Sequence, residues 1–563
     1  GLFRAWAAEN RTIAALGEVT KERDAKEVER RNADEARLRA EEAENLVLTS
    51  YRENTDDVIE QLIGSKDQIG PQERAYLERT LERWQALANR EGNDEQSRVI
   101  RTEGYFRVAA LWQKLGQNER ARVAFDLARS IRRELVQQFP DVPEYQYSLA
   151  VSHNSLGVLL AEHGDEAAAR VEYEAAKDVE RKLVQQFPTV PRYQSLLAAG
   201  HVNLGRLLAA QGDHGAARAE YEAAKDVQRK LVQQFPAIPE YQHALAKSHG
   251  SLGDLYHDQG DQSAAQVEYE AARDIFRTLV QQFPTVPEYQ YVLATSHGSF
   301  GNVLRAQADL AAAQVEYEAA RDIFRKLVQQ FPTIQKYRLV LAITSFNYGI
   351  VLSEHPEGAG ESLPWFTQAI EVLTPVVEQD PGGAMARTVL LESYEQRAAA
   401  HVSLQQYAES LPDWDQSITL SPDSDQRRLR AKRADARLRA GHVAAAVAEV
   451  DELILLAEAG GESATVWSAM QWYNFACLYS VASSQLPEQQ AAYAIRAMEL
   501  LKKAVDAGYN TAKAAEHMAK DTDLDPLRDR DDFQQLIQSL PKPPDTPPAT
   551  PPSPPSAPPE SQR

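Results

Sequence analysis

Along most of the chain, apolar residues recur every three or four positions, the spacing of helices that bury one face. The stretch Asp141–Pro188 shows the pattern clearly. Tyr145, Leu149, Leu156, Leu159 and Leu160 predict a first helix. Pro143 suits its first turn, where the missing N–H costs nothing. Gly164-Asp165 breaks that helix, and Asp165 can cap the next. Ala169, Tyr173, Ala176, Leu183 and Phe187 then mark one face of a second helix. Such a hairpin has an apolar side that it cannot bury alone, so neighbouring hairpins must stack.

The string Leu-Val-Gln-Gln-Phe-Pro starts at Leu135, Leu183, Leu231, Leu279 and Leu327, each 48 residues after the last. Leu183 and Phe187 are expected to complete the buried face, with the two glutamines pointing outward. The proline ends the helix by pushing the residue before it out of the α region. The string therefore reads as a joint between structural units, and function is sought where the copies disagree.

The organisation follows from where this pattern starts, weakens and stops. Residues 1–55 are mostly charged, with opposite charges four apart at Glu22/Lys26, Glu27/Arg31 and Glu35/Arg39. They predict one long helix, either a solvated spacer or a self-associating coiled coil. Residues 56–98 form a helical linker region broken at Gly70-Pro71. Residues 99–140 are a degenerate first repeat, and 141–332 hold four 48-residue repeats. Residues 333–540 hold looser units, with Phe366, Ala369 and Trp414 at their packing positions, and a capping helix. Residues 541–563 are a proline-rich tail expected to be disordered. Its P-x-x-P steps, such as Pro544–Pro547, also suit a polyproline helix in an aromatic groove.

At this point the chain resembles the tetratricopeptide (TPR) repeat family. Leu156-Gly157 matches the family's L-G, Leu160 stands at its Tyr, and Ala169 with Tyr173 match A-x3-F. The set returns as Leu204-Gly205/Ala217/Tyr221, Leu252-Gly253/Ala265/Tyr269 and Phe300-Gly301/Ala313/Tyr317. A repeat of 48 rather than 34 residues implies longer helices. The resemblance implies an all-α, right-handed superhelical solenoid of antiparallel helix pairs. Small residues let the paired helices approach, and the aromatic fills the gap between them. It also implies that the first helix of each unit lines a concave groove holding a protein or peptide ligand. The groove-facing positions would be the first and fourth after each glycine. There the copies diverge, as Val158, Arg206, Asp254 and Asn302, then Ala161, Ala209, His257 and Arg305. The carboxylate-clamping Lys/Asn/Lys/Arg set of some family members is absent from any one unit.

Charge narrows the partners. A formal net charge of −21 over 563 residues argues against nucleic acid and against an anionic membrane surface. No apolar run is long enough to span a bilayer. The single cysteine, Cys477, excludes an internal disulfide and a thiolate metal cage. His153, His201, His249 and His297 recur at the repeat spacing, but stacked helices hold such positions too far apart for one ion. They are expected to pack between helices, with no carboxylate at ligand spacing. No phosphate loop, dinucleotide fingerprint, zincin, nucleophile elbow or kinase landmark is present. Catalytic, cofactor and metal sites are therefore not expected, and carboxylates are read mostly as exposed, solubilising charge.

A wider resemblance covers most of residues 1–540. The charged helix, "EQSRVIRTEGYFRVAALWQKLG", the repeats and the terminal "NFACLY" and "LDPLRDRDDFQQLI" are similar to the C-terminal region of large bacterial serine/threonine protein kinases. In those proteins a kinase domain and usually a membrane segment come first. The first residue here is Gly1, which suggests a start further upstream. The resemblance thus implies a regulatory or partner-binding arm, attached to a membrane through an upstream segment, with any kinase activity outside this chain. A stand-alone scaffold is the alternative.

Overall fold

The computed structural model describes residues 2–58, 70–355, 357–459 and 467–541. Among these residues every regular element is a helix, and consecutive helices pack as pairs. This is the all-α, repeat-solenoid class expected from the spacing. The linker break before Gly70 and the proline-rich tail lie largely outside the described residues. The chain divides into two compact units. One comprises residues up to Ser299 with Lys326–Tyr337; the other comprises Phe300–Arg325 with the residues from Arg338 onward.

Helix α1 (Leu2–Val58) is docked at its C-terminal end. Leu48 is buried, Trp84 Nε1 donates to Thr55 Oγ1 at 3.0 Å, and Arg52 reaches Glu103 at 2.9 Å. Further back, Leu16, Val19, Val28 and Leu46 are exposed, and pairs such as Lys26–Glu22 at 2.9 Å dress the surface. Helix α2 (Pro71–Ala88) starts on Gly70 as N-cap with Pro71 in its first turn, as the breaker motif predicts.

The repeats follow as α3 (Glu95–Lys114) and α4 (Asn118–Gln138), α5 (Pro143–Glu162) and α6 (Glu166–Gln186), α7 (Pro191–Ala210) and α8 (His214–Gln234). Next come α9 (Pro239–Asp258) and α10 (Gln262–Gln282), then α11 (Pro287–Ala306) and α12 (Leu310–Gln330). The turn inside each pair is set by local chemistry. Gly164, Gly212 and Gly260 adopt φ of 78°, 78° and 79°, a region closed to most side chains. Asp165, Asp213 and Asp261 then accept the amide three residues on, at 3.1–3.2 Å. In α11/α12 the glycine is replaced by Ala308, which holds φ 62°.

Within a pair, the L-G glycine brings the helices together. A Cβ on Gly157, Gly205 or Gly253 would lie 2.6–2.8 Å from the ring of Tyr173, Tyr221 or Tyr269. The tyrosine therefore lies directly on bare backbone, as the family pattern implies.

The joint between pairs differs from expectation. Phe187 does not extend the buried face of α6. It is the C-cap, with φ −130° and ψ 62°, and is only half-buried. The proline behind it forces the chain out of the helix one residue early. The ring instead packs edge-on against Tyr193 of the next helix, centroids 6.0 Å apart. Phe139–Tyr145, Phe235–Tyr241, Phe283–Tyr289 and Phe331–Tyr337 repeat the contact at 6.0–6.1 Å. The carbonyl of Pro188 is closed by Gln194 Nε2 at 2.6 Å, and Pro140, Pro236 and Pro284 are closed likewise by Gln146, Gln242 and Gln290. The glutamines of the string point outward as expected, with Gln185 and Gln186 exposed.

The second unit continues with α13 (Gln335–Ser353), α14 (Ala359–Gln379), α15 (Ala384–Ser403), α16 (Tyr407–Leu420), α17 (Asp423–Arg439), α18 (Val443–Ala459), α19 (Ala469–Gln485) and α20 (Gln490–Asp506). Trp414 is buried at its packing position. Helix α21 (Ala512–Lys520), a 3-10 turn (Thr522–Leu527) and α22 (Asp531–Ser539) close the end. They share one core in which Met518, Leu524, Phe533 and Leu540 meet Tyr473 and Leu501.

Two substitutions in this framework should have opposite signs. Ala308→Gly relieves a left-handed alanine and should stabilise by about 1 kcal/mol. Gly205→Ala gains about 1 kcal/mol of helix propensity but overpacks Tyr221 by roughly 1–3 kcal/mol. It should be net destabilising. Urea midpoints of the two variants against wild type check both signs.

Candidate functional site

The six groove-candidate residues have different surroundings. Asp254 accepts the hydroxyl of Tyr269, and Asn302 Oδ1 accepts that of Tyr317 at 2.5 Å. Arg305 grips Glu354 with Nε at 3.0 Å and a terminal nitrogen at 2.8 Å. His257 Nδ1 is 3.0 Å from Gln262 Oε1 in its own turn. Val158 is half-buried. Arg206 is exposed, and its charge lies near Tyr173 on the preceding helix. At two of the four positions after the glycine, Asp254 and Asn302, the side chain thus accepts a packing tyrosine's hydroxyl. That position serves the interior of the array as well as its surface.

The repeated histidines are polar links, and here the structure corrects the sequence reading. A carboxylate does lie within reach, nineteen residues further along. His153 Nδ1 sits 2.7 Å from Glu172, and His201 and His249 sit 2.6 Å from Glu220 and Glu268. Each glutamate also takes a cation from the previous pair: Arg129 on Glu172, Lys177 on Glu220 at 2.8 Å, and Lys225 on Glu268 at 3.0 Å. The result is a part-buried ladder running from pair to pair through unit one. Burial alone would raise the Glu220 carboxyl. The hydrogen bonds from His201 and Lys177 outweigh it and hold the group down at about 2. Among the described residues no cluster has the composition of a metal site. A 43-residue offset between cation and carboxylate belongs to no local motif, so the spacing gave no warning.

A second unforeseen feature lies at one core position of the second helices. Arg132, Glu180, Gln228, Phe276 and Phe324 occupy it in turn, 48 residues apart, and all are buried. Sequence divergence is therefore not confined to the surface. Arg132 donates to Ser152 Oγ at 2.6 Å and to the Ser148 carbonyl at 3.0 Å. Glu180 takes one hydrogen bond, from Asn154 Nδ2 at 2.6 Å. Glu180 is an exception to the reading of carboxylates as mostly exposed charge.

In unit two, α15, α17 and α19 line a cavity of about 630 Å³. Ala399, Val402, Ala431 and Leu478 form its apolar wall, and His517 and Asp521 close one end. Glu395 takes Arg428 at 2.9 Å and Lys432 at 2.7 Å. Despite burial, these two cations hold its carboxyl at about 2. One carboxylate facing two cations leaves that end positive. At the other end Arg439 bridges Asp435 at 3.1 Å and Asp523 at 2.8 Å, and Tyr473 donates to Asp521 at 2.6 Å. That end is negative. Asn474 is exposed on the lining, and among the described residues its side chain makes no hydrogen bond. The cue available in the sequence was "RRLRAKRADARLR", a basic helix in an acidic chain.

Residues 198–231 match the model of the tetratricopeptide repeat family. The match starts seven residues into α7 and ends three before the end of α8, so the residues beyond a standard repeat fall around the Phe-Pro joint. No curated protein sequence matches the chain. Among solved structures the chain is similar to BtubC (BKLC) from P. vanneervenii, at 22% identity over 45% of this chain and 90% of that one, TM-score 0.36. It is similar to the apo form of RapI at 12% identity, over 70% and 99% of the two chains, TM-score 0.43. A signal-transduction ATPase with a tetratricopeptide repeat sensor from Pyrococcus horikoshii is 9% identical, over 69% and 52%, TM-score 0.41. Among the described residues no helix is long and apolar enough to cross a membrane.

The ladder predicts an acid response. Glu220 has a folded pKa of about 2, below its ordinary 4.5, so its contribution is complete above the unfolded value and is lost as pH falls from 4.5 towards 2. Glu220→Gln should flatten that part of the stability–pH curve, followed by circular dichroism. Lys177→Met should cost about 1–3 kcal/mol at neutral pH, because it removes a cation from a half-buried carboxylate.

Proposed function

We propose that the chain is a protein-interaction scaffold and that the cavity lined by α15, α17 and α19 is its recognition groove. The supporting observation is the combination of an apolar wall, oppositely charged ends and the unpartnered Asn474 carboxamide. An extended peptide presents a complementary mixture: apolar side chains, backbone amides that a carboxamide can read, and charges at intervals. The six positions Val158, Arg206, Asp254, Asn302, His257 and Arg305 form a second candidate surface. Several of them are engaged within the chain, which favours the unit-two cavity.

The resemblance to the C-terminal regions of bacterial serine/threonine kinases supports a further reading, in which this scaffold is the partner-binding arm of such an enzyme. Phosphoryl transfer would then belong to a domain encoded upstream of Gly1. An upstream coding sequence without a kinase domain removes that reading and leaves the scaffold.

The groove is tested with a displayed library of random peptides selected on the full chain. Asn474→Arg should abolish the enrichment, while Arg206→Glu/Arg305→Glu should retain it. The opposite pattern moves the site to the 48-residue repeats. No enrichment on wild type sinks the peptide-groove reading.

A further inference from the structure

The joint between α6 and α7 has an interior unlike the others. Glu180 of α6 is fully buried, yet it receives only the Asn154 hydrogen bond. Its second oxygen, Oε2, has no partner among the described residues, and neither does Asn154 Oδ1. At the previous joint the equivalent Arg132 finds Ser152 on the next helix. Glu180 finds Gly200 there instead, so close that a Cβ on the glycine would collide with Oε2. At the next joint the position holds Gln228, the neutral isostere, and then Phe276.

No cation neutralises this carboxyl. The charged group that acts on it is Lys177 on α6, and the histidines adjoining its contact residues in sequence are His153 on α5, next to Asn154, and His201 on α7, next to Gly200. His153 is turned to Glu172, and His201 and Lys177 both bind Glu220. A bare carboxylate in that setting carries the penalty of a buried unpaired ion. A neutral acid avoids most of it and gains an O–H donor.

We propose that the α6/α7 joint is a proton-operated hinge: Glu180 packs as a neutral carboxylic acid, and loss of its proton opens the array between these two helices. Burial pushes the group up to about 8, with Asn154 and Lys177 opposing it only in part. The folded value lies above the unfolded 4.5, so the protonated group stabilises most at low pH. That contribution falls as pH rises from 4.5 to about 8. Because a stacked array is held by nearest-neighbour interfaces, weakening one joint acts locally.

The test is hydrogen exchange on the full chain at about pH 6 and about pH 9, corrected for chemical exchange. Wild type should lose about tenfold or more protection in α6 and α7 at the higher pH, with α10 and α11 around Phe276 unchanged. Glu180→Gln should abolish the local loss. If that variant does not fold, Glu180→Phe, which copies the Phe276 joint, takes its place. An unchanged α6/α7 joint in wild type overturns the proposal. So does a loss spread evenly over all joints, or the same local loss in the neutral variant. None of these readouts depends on a bound peptide.

Discussion

The constraint on which the repeats depend is that no helix pair can bury its own apolar face. Each must be covered by the next, so the energetics are those of nearest neighbours. The contact that makes a pair a repeatable unit is the tyrosine ring lying on the bare backbone of the L-G glycine. It fixes how closely the two helices approach. The Phe-Pro joint with its Tyr partner then fixes how one pair is handed to the next. Both contacts use residues that are short-range in sequence, which is why they recur almost unchanged.

On this uniform frame the variable chemistry is placed between units. The His–Glu–Lys/Arg ladder spans consecutive pairs in unit one and satisfies its carboxylates fully. The position carrying Arg132, Glu180, Gln228, Phe276 and Phe324 is less regular. It passes from a cation bonded to the next helix, through a carboxyl with one partner, to plain aromatics. Adjacent joints in one array therefore have different interiors and need not be equally strong. A buried polar group with too few partners is costly in proportion to its isolation. Glu180 is the extreme case among these five positions.

The separation between scaffold and recognition follows from the same arrangement. In the 48-residue repeats, Asp254 and Asn302, at the variable position after the glycine, spend hydrogen bonds on packing tyrosines, so part of that position's capacity is used internally. In the shorter units at the C-terminal end, α15, α17 and α19 instead present small and polar residues to an open cavity. Charge pairs at its ends are unequal in sign. Those features make it the better surface for an extended ligand.

Much was legible from residues alone because the physics was local. Glycine and aspartate chemistry determined the turns, proline the helix ends, and three-to-four spacing the buried faces. The L-G/Tyr match located the close approach. What only the tertiary structure decided was the company each polar side chain keeps. The sequence placed Phe187 on a helix face, but the chain leaves the helix there and turns the ring to Tyr193. Glu172, Glu220 and Glu268 look like ordinary helix-surface acids until the preceding pair brings a cation from 43 residues away. Glu180 looks the same, and differs because the next helix offers it a glycine. Burial and pairing are properties of two helix pairs in contact, and spacing within one pair does not contain them.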